Sequence, residues 1–306
     1  GTLEHWNTVT FYYLCISMII TIDTAAGFCP GVRRAIKKAE NELGKNEEFF
    51  SYGSLLHNES EMQRLEDEGL KIALKDDLRK LGGKKLLIRA HGEPPETYKY
   101  LEEIGVEVVD ATCVIVRRLQ QHVSRAAEDM KKVNGQLLIF GRKEHPEVIG
   151  LAGNAKGMAL ILESKDELDI VDLSRPIRLF SQTTMDADQY LFISDTIQKG
   201  VREQQEEPDF IRYDSICRYV TDRIPSLEKF VERSEVIIFV SGKESSNGKK
   251  LYNICKDKNP KTFFISEPDE LKLEWFDGVA AVGISGAAST PLWLMEEVAS
   301  KIREIV

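Results

Sequence analysis

The chain has 306 residues, of which 42% are apolar and 30% charged, a composition that supports folded domains and excludes an intrinsically disordered protein. Its net charge of −9 and isoelectric point near 5.3 argue against a nucleic-acid-binding protein. The chain has an odd number of cysteines without paired spacing, namely Cys15, Cys29, Cys113, Cys217 and Cys255. We therefore expect no disulfide scaffold, and we expect a reducing, cytoplasmic location.

The first segment contains an apolar run at residues 9–22, with the sequence VTFYYLCISMIITI. This run is shorter than the ~20 residues of a membrane-spanning helix, and no positive cluster typical of a signal peptide precedes it. We therefore expect no membrane segment, and we predict that residues 1–17 form an N-terminal extension outside the fold. The alternative is a strand that pairs with a sheet edge.

From Met18 onward, short β-branched runs alternate with amphipathic stretches, a pattern typical of a parallel α/β architecture. Strands are predicted at residues 18–24, 49–53, 85–90, 106–111, 136–141, 178–182, 210–214, 236–241, 262–266 and 279–284. Helices are predicted at residues 32–43, 61–69, 114–132 and 292–305. Asn58 and Glu61 have the spacing of a capping box, and Pro291 is predicted in the first turn of the last helix.

Three of the cysteines occupy similar positions in the predicted elements. Cys29, Cys113 and Cys217 each follow a strand and begin a helix, and each is followed three positions later by a valine. The intervals between them each have the length of one small α/β unit. We therefore predict three pseudo-repeated units, or lobes, at residues 18–112, 113–210 and 211–306.

A cysteine at a helix N-terminus is close to unpaired backbone N–H groups and to the positive end of the helix dipole, which favour its thiolate form. Three such cysteines, brought together, would bind a zinc ion or one iron–sulfur cluster and leave a coordination position open. The alternative is that each cysteine is a small buried apolar residue. Cys15 and Cys255 lack the strand-to-helix position and are expected to be structural.

Polar residues also cluster where predicted strands end, which is the edge at which open α/β sheets bind ligands. These candidates are His57, His91, His145, Glu147, Thr183, Thr184, Ser245, Ser246, Asn247 and Ser289. Helix N-termini with hydroxyl, amide and imidazole donors suit phosphate oxygens, and we expect the three histidines at equivalent points of the units. Glu147 would transfer a proton if burial raised its pKa; otherwise it is an ordinary first-turn glutamate. His5 and His122 lack this context.

The motifs together resemble those of the 4-hydroxy-3-methylbut-2-enyl diphosphate reductases, the IspH or LytB family. The matching segments, in chain order, are GFCPGV at 27–32, LHN at 56–58, AHG at 90–92, DATC at 110–113, HPEV at 145–148, QTT at 182–184, Cys217, SSN at 245–247 and STP at 289–291.

The resemblance implies the last step of the methylerythritol phosphate route, in which an allylic diphosphate loses its hydroxyl group by reduction to isopentenyl and dimethylallyl diphosphate. It implies a [4Fe–4S] cluster on Cys29, Cys113 and Cys217, at the centre of a trefoil-like, three-lobed α/β fold, and an electron donor such as ferredoxin or flavodoxin. It assigns diphosphate binding to His57, His91, His145, Ser245, Ser246, Asn247 and Ser289. Glu147 and Thr183 match the positions that handle protons and position the hydroxyl. Spacing alone does not choose between a cluster and zinc.

The chain departs from the family pattern at Pro30, Val114, Asp222, Ile224 and Ala287. Asp222 replaces an asparagine and, unless it pairs with Arg223, is expected to weaken binding of a dianion. Ala287 replaces a glycine and is expected to crowd a backbone that approaches phosphate. The departures at Asp222, Ile224 and Ala287 leave open a non-catalytic paralogue that senses diphosphates or redox state. A separate alternative is a structural Cys3His zinc protein without catalysis.

Overall fold

Strands and helices alternate along residues 18–45 and 47–306, the part of the chain that the computed structural model describes. The strands are β1 Ile19–Ile22, β2 Phe49–Tyr52, β3 Leu70–Ala73, β4 Lys85–Ile88, β5 Glu107–Asp110, β6 Gln136–Phe140, β7 Ala159–Leu162, β8 Ile177–Ser181, β9 Phe210–Arg212, β10 Val236–Val240, β11 Thr262–Ile265 and β12 Ala281–Gly286. The helices are α1 Pro30–Leu43, α2 Glu59–Asp67, α3 Pro95–Glu103, α4 Val114–Lys132, α5 Pro146–Asn154, α6 Ala187–Gln204, α7 Arg218–Thr221, α8 Ile224–Val231, α9 Ser246–Lys258 and α10 Leu292–Ile305. The predicted extension, residues 1–17, lies outside the described residues.

The strands form three parallel sheets of four strands each, which confirms the predicted three-lobed α/β fold. Their orders are β3-β2-β4-β5, β7-β6-β8-β9 and β11-β10-β12-β1. The second strand in these orders is β2, β6 or β10. In each sheet it pairs with the strand that follows it in sequence, which is β3, β7 or β11. The three sheets therefore share one topology, and β1 takes the place in the third sheet that β5 and β9 take in the other two.

The placement of β1 differs from the predicted unit boundaries. Ile19 pairs with Ala281 and Ile22 with Ile284, in parallel register. The prediction put residues 18–112 in one unit because it took the units from the spacing of the three cysteines, which does not show which sheet the first strand joins. The first strand instead completes the sheet formed by the end of the chain.

Each sheet is covered on both faces, as parallel sheets require. Alternate residues of β10 face opposite sides: Val236, Ile238 and Val240 pack with α10, whereas Ile237 and Phe239 pack with α8 and α9. The central strands β4, β6 and β10 are consequently almost wholly buried. Their C-terminal ends are fixed by three separate cores, which gives the loops that follow them a rigid support.

The structure contains two strands, β3 and β7, that were not predicted from the sequence. β3 (LKIA) and β7 (ALIL) are four-residue edge strands in which leucine, alanine and lysine outnumber β-branched residues. Such segments have weak strand propensity, and pairing with β2 or β6 decides their conformation.

The predicted helix caps are only partly correct. Asn58 Oδ1 accepts a hydrogen bond from the N–H of Glu61 at 2.9 Å and caps α2 as expected. The carboxylate of Glu61 does not close the capping box, because it accepts hydrogen bonds from Arg64 and from Trp293 Nε1, the latter at 2.7 Å. Pro291 is the residue before α10 rather than part of its first turn. In the described part of the chain, no helix has the length and apolar character needed to cross a membrane.

Candidate functional site

The predicted site residues converge on one cavity. It has a volume of about 130 Å³ and lies where the three units meet. Its lining includes Cys29, His57, His91, Cys113, His145, Glu147, Thr183, Thr184, Cys217, Ser245, Ser246, Asn247 and Ser289. Residues separated by more than 200 positions in sequence thus face one space.

The sheet topology explains this convergence, because three of the four strands in each sheet end at the cavity. The strands that begin each unit, β2, β6 and β10, lead to His57, to His145 with Glu147, and to the Ser245–Asn247 segment. Their neighbours β4, β8 and β12 lead to His91, Thr183 and Ser289, and the edge strands β5, β9 and β1 lead to the cysteines. His57 and His145 are therefore at equivalent points, but His91 is not, which corrects the prediction for the three histidines.

The cysteines are held by the same contact in each unit. Each is the N-cap residue of its helix, α1, α4 or α7. The backbone N–H of Cys29 donates to the carbonyl of Ala288 at 3.0 Å, that of Cys113 to Ala90 at 2.9 Å, and that of Cys217 to Thr183 at 2.8 Å. Each carbonyl belongs to the loop that follows the neighbouring strand. The cysteine positions are therefore locked to the sheets rather than to flexible segments.

Gly31 provides the space between two of the thiols. A Cβ atom at this position would lie 2.8 Å from Cys113 Sγ and 3.7 Å from Cys29 Sγ. The two sulphurs therefore flank one region that any larger residue would fill. Gly31 was not predicted as a site residue, although its place between a capping cysteine and a helix was visible in the sequence.

The spacing of the sulphurs bears on the kind of metal group that they fit. Among the residues that the structure describes, the one set of three or more potential ligand atoms lying within 4.8 Å of one another belongs to His57, His91 and His145. The three cysteine sulphurs are therefore more widely spread. A tetrahedral zinc ion with Zn–S bonds of about 2.3 Å would hold its sulphurs about 3.8 Å apart. The three thiols are therefore not all as close together as the sulphurs of one tetrahedral zinc ion.

Burial opposes the thiolate form in the absence of metal. It raises the pKa of Cys29 above the usual thiol value, outweighing the N–H of Val32, which donates to Cys29 Sγ at 3.4 Å. Burial likewise raises the pKa of Cys217. The N–H groups at the helix N-terminus lower the pKa of both thiols, as expected, but burial raises the pKa by more. Metal binding displaces the thiol proton and is the available source of stabilisation for the anion.

The three imidazoles form a compact group. The ring centroids of His57 and His91 are 5.5 Å apart, those of His57 and His145 are 5.8 Å apart, and those of His91 and His145 are 5.1 Å apart. Burial lowers the pKa of all three, and that of His145 falls to about 4. In the free protein these rings are therefore neutral near pH 7.

The tautomer of His145 favours an anionic ligand over a metal ion. Its Nδ1 accepts a hydrogen bond from the backbone N–H of Glu147 at 3.2 Å, which places the proton of the neutral ring on Nε2. A nitrogen that carries a proton donates to an oxygen and does not ligate a metal. Metal binding through Nε2 would require the other tautomer, whose Nδ1–H would oppose the Glu147 N–H.

Several buried polar atoms of the cavity have no partner within the described residues. They are His57 Nε2, His91 Nδ1, Ser246 Oγ and both side-chain atoms Nδ2 and Oδ1 of Asn247. Buried polar atoms are nearly always hydrogen-bonded, so this cluster indicates a polar ligand. Ser245 Oγ accepts from the Gly248 N–H at 3.0 Å and lies 3.4 Å from Ser289 Oγ. The N-terminus of α9 thus faces the same ligand position, as in anion sites.

Glu147 is buried beside Thr183. The backbone N–H of Thr183 donates to Oε1 at 2.6 Å, and its hydroxyl donates to Oε2 at 2.8 Å. Burial raises the pKa of Glu147 to about 7 in spite of these hydrogen bonds. The carboxyl group is therefore close to half-protonated at neutral pH, the condition in which an acid gives up a proton most effectively.

The residues that depart from the family pattern do not line the cavity. Asp222 is exposed, and Arg223 pairs with Asp23 at 3.1 Å rather than with Asp222. Ala287 is buried but does not line the cavity. The expected crowding of phosphate by Ala287 therefore has no support in the geometry. Cys255 is buried among apolar residues and has its pKa raised by burial to about 12, as expected for a structural cysteine.

The cavity is also lined by residues that were not predicted as site residues. Tyr219 and Ile115 lie two positions after the capping cysteines Cys217 and Cys113, and both line the cavity. Their only signal in the sequence is this position, which places them in the first helical turn. Leu55 and Leu56 form part of the apolar wall.

The fold and the site together define a class of protein. It has three α/β units whose strand ends enclose one cavity. The cavity carries three thiols beside neutral imidazole, hydroxyl and amide groups. The family described as LytB protein matches residues 20–303. The chain belongs to the LytB family.

Relatives and solved structures agree with this assignment over nearly the whole chain. A protein of Parabacteroides distasonis named 4-hydroxy-3-methylbut-2-enyl diphosphate reductase is 42% identical over 286 residues, covering 94% of this chain and 98% of its own length. The protein of the same name from Porphyromonas gingivalis is 42% identical over 289 residues, covering 94% and 99%.

Two solved structures carry related descriptions. One, of (E)-4-hydroxy-3-methyl-but-2-enyl diphosphate reductase, described as the terminal enzyme of the non-mevalonate pathway, has a TM-score of 0.69 and 33% identity and covers 94% of this chain and 100% of its own. The reductase from Plasmodium falciparum has a TM-score of 0.80 and 26% identity and covers 92% and 87%.

Proposed function

We propose that this protein is a 4-hydroxy-3-methylbut-2-enyl diphosphate reductase that forms isopentenyl and dimethylallyl diphosphate, the last step of the methylerythritol phosphate pathway. The observation that carries the proposal is one cavity in which three capping cysteines, three neutral imidazoles and a carboxyl group of raised pKa face each other. The names of the LytB relatives support the same reaction.

The metal group in this proposal is a [4Fe–4S] cluster on Cys29, Cys113 and Cys217. The donor set supports it, since thiolates are the ligands of such clusters and the sulphurs are not all as close together as those of one zinc ion. Held by these three cysteines, the cluster would supply Lewis acidity toward the substrate hydroxyl together with electrons for its removal.

The diphosphate group occupies the cavity side that carries the unpartnered donors. His57, His91 and His145 supply neutral N–H groups, and the α9 N-terminus supplies further donors. The hydroxyls and amide of Ser245, Ser246, Asn247 and Ser289 complete the set of diphosphate ligands. Neutral donors hold a dianion without the cost of burying three separate cations.

Glu147 and Thr183 handle the proton that the leaving hydroxyl needs. In the overall reaction one C–O bond breaks, two electrons and two protons enter, and water leaves with one of those protons. Glu147 holds a proton on its carboxyl group. When Oε2 carries that proton, it donates to the Thr183 hydroxyl 2.8 Å away, and this hydroxyl donates its own hydrogen to the substrate hydroxyl, which passes the proton on and orients the leaving group.

The two electrons come from outside the chain in this proposal, from a carrier such as ferredoxin or flavodoxin. A cytoplasmic setting suits the reaction, since a reducing compartment keeps the ligand cysteines available for metal.

The test is an anaerobic assay with the hydroxylated diphosphate and a chemical reductant, combined with iron and sulfide analysis of the same sample. We expect brown protein with about four irons per chain, as the cluster requires, and formation of both products. Cys113→Ser removes the colour and the activity, whereas Cys255→Ala, a change at a buried cysteine outside the cavity, retains both. Colourless protein after cluster reconstitution contradicts the proposal.

A further inference from the structure

An exposed basic surface borders the cavity beside two of the cysteines. It consists of Arg33, Arg34 and Lys37 on α1 and Arg117 and Arg118 on α4, and we call it the basic rim. Neither helix has an acidic residue in its first turn. Helix N-termini favour negative side chains, so this concentration of positive charge is opposite to what helix stability alone selects.

Hydrogen bonds place two of these guanidinium groups directly next to the cysteine segments. Arg33 Nη2 donates to the carbonyl of Phe28 at 3.4 Å, and Phe28 immediately precedes Cys29. Arg34 Nη2 donates to the carbonyl of Thr112 at 2.8 Å, and Thr112 immediately precedes Cys113. Two of the positive charges of α1 are therefore in its first turn, next to the segments of the two cysteines.

The charge of the basic rim is largely uncompensated. Among its five residues, Arg117 alone has an ion-pair partner in the described parts of the chain, Asp110 at 2.6 Å. The third cysteine segment contributes little, because Arg218 pairs with Asp214 and Asp222 is exposed nearby in sequence. The whole chain carries a net charge of −9. The basic rim is thus a local feature against an acidic background.

Apolar side chains lie within the basic rim. Val114 and Ile115, in the first turn of α4, are 45% and 41% exposed. Ile115 also lines the cavity, so this apolar surface is continuous with the cysteine site. An exposed apolar centre surrounded by one sign of charge is the pattern of a small, transient protein interface.

We propose that the basic rim is the docking surface for the electron donor and that this donor is a small acidic carrier protein delivering one electron at a time. The inference rests on the proposed reductase function, in which two external electrons reduce the substrate carbon as the C–O bond breaks. Charge complementarity selects an acidic partner and increases the rate of encounter. Docking at the basic rim would bring the donor next to the segments of Cys29 and Cys113, the proposed ligands of the metal group.

The test uses the double variant Arg33→Glu/Arg118→Glu, which reverses two charges at residues outside the cavity lining. The matched control is Arg125→Glu/Lys131→Glu, which also reverses two exposed charges, about 10 and 20 Å further along α4 than Arg118. An acidic [2Fe–2S] ferredoxin is the probe, and its Kd for the wild type and each variant is measured at low and high salt. At low salt we expect the double variant to bind about tenfold or more weakly, with a smaller salt dependence, and the control to bind as the wild type does.

Turnover with two reductants separates this inference from the proposed function. With reduced ferredoxin, the double variant should lose about tenfold or more in rate. With reduced methyl viologen, a small cation, it should match the wild type. Unchanged ferredoxin binding, or an equal loss with both reductants, overturns the docking inference. Absence of turnover in wild-type protein with methyl viologen overturns the proposed function instead, while the binding measurement still tests the surface.

Discussion

At the scale of single residues, Glu147 combines burial with two hydrogen bonds from Thr183 that act in opposite directions on its pKa. Burial dominates, and the carboxyl group titrates at about pH 7. Below that pH it holds its proton, and above it the proton is lost. A glutamate on the surface would be ionised throughout this range and would have no proton to transfer.

The pH dependence of turnover follows from the raised pKa of Glu147. In the wild type, we expect the rate under saturating substrate to fall as the pH rises through about 7, because the protonated carboxyl group is depleted. Glu147→Gln, which keeps the shape but cannot transfer a proton, should lower turnover by about 100-fold or more and remove this limb of the profile. The absorbance of the metal group is the control and should not change. A Gln variant with the wild-type pH profile would contradict the assignment.

The kinds of residue at the site were predictable, because cysteine, histidine and serine at strand ends have few structural reasons to be there. Their electrostatic states were not. The thiol pKa values depend on burial by atoms from all three units, and this burial outweighs the local helix terminus. The tautomer of His145 similarly depends on a single backbone contact with Glu147.

At the scale of elements, the loops after the strands align groups from different units. Gly242 follows β10 in the third unit and approaches the segment of His57 in the first. A Cβ atom at Gly242 would overlap the carbonyl oxygen of His57 and lie 2.8 Å from Glu59 Oε2. The Ser289 hydroxyl also donates to that carbonyl, at 3.4 Å. The position of the His57 ring therefore depends on close backbone contact between two units.

Gly242→Ala should accordingly displace His57 without reaching the cysteines. We expect the KM for the diphosphate to rise by roughly tenfold or more, since a displaced ligand group costs on the order of 1.4 kcal/mol or more of binding, and the iron content to stay at the wild-type level. Steady-state kinetics and metal analysis of the same preparation measure both. Either an unchanged KM or a loss of iron would show that Gly242 acts elsewhere.

Element boundaries were predictable where a strand is a continuous buried run, as in β6 and β10, and where a helix has a strong amphipathic pattern, as in α4. Short edge strands such as β3 and β7 were not, because their conformation is set by the neighbouring strand rather than by their own residues. The equivalence of the three sheets could be inferred only in outline. The repeated cysteine revealed three units but not which sheet the first strand joins.

At the scale of the whole molecule, a buried ionic cluster connects the start of the chain to the third unit. Arg223 Nη2 donates to Asp23 Oδ2 at 3.1 Å and to Ser285 Oγ at 2.8 Å. Asp23 directly follows β1 and also accepts from the N–H of Ala25 at 2.9 Å. This cluster and the β1–β12 pairing hold the segment that leads to Cys29.

Asp23→Ala should therefore destabilise the molecule strongly. It leaves the buried Arg223 guanidinium without its carboxylate, a change that typically costs about 3–5 kcal/mol. The free energy of unfolding from urea titration measures the loss. Asp222→Ala, at the exposed residue next to Arg223, is the control and should stay within about 0.5 kcal/mol of the wild type. Equal effects of the two substitutions would show that the buried pair contributes little.

The pairing of β1 with β12 has a consequence for biogenesis. The ribosome makes the first strand and Cys29 long before it makes the strand's partner and the Ala288 carbonyl that anchors Cys29. At about 5–20 residues per second, this thiol stays unanchored for tens of seconds while the middle of the polypeptide already folds. For the proposed metal group, we expect loading at Cys29 to be complete only after the third sheet has formed, and the nascent thiol to depend on the reducing power of its surroundings until then.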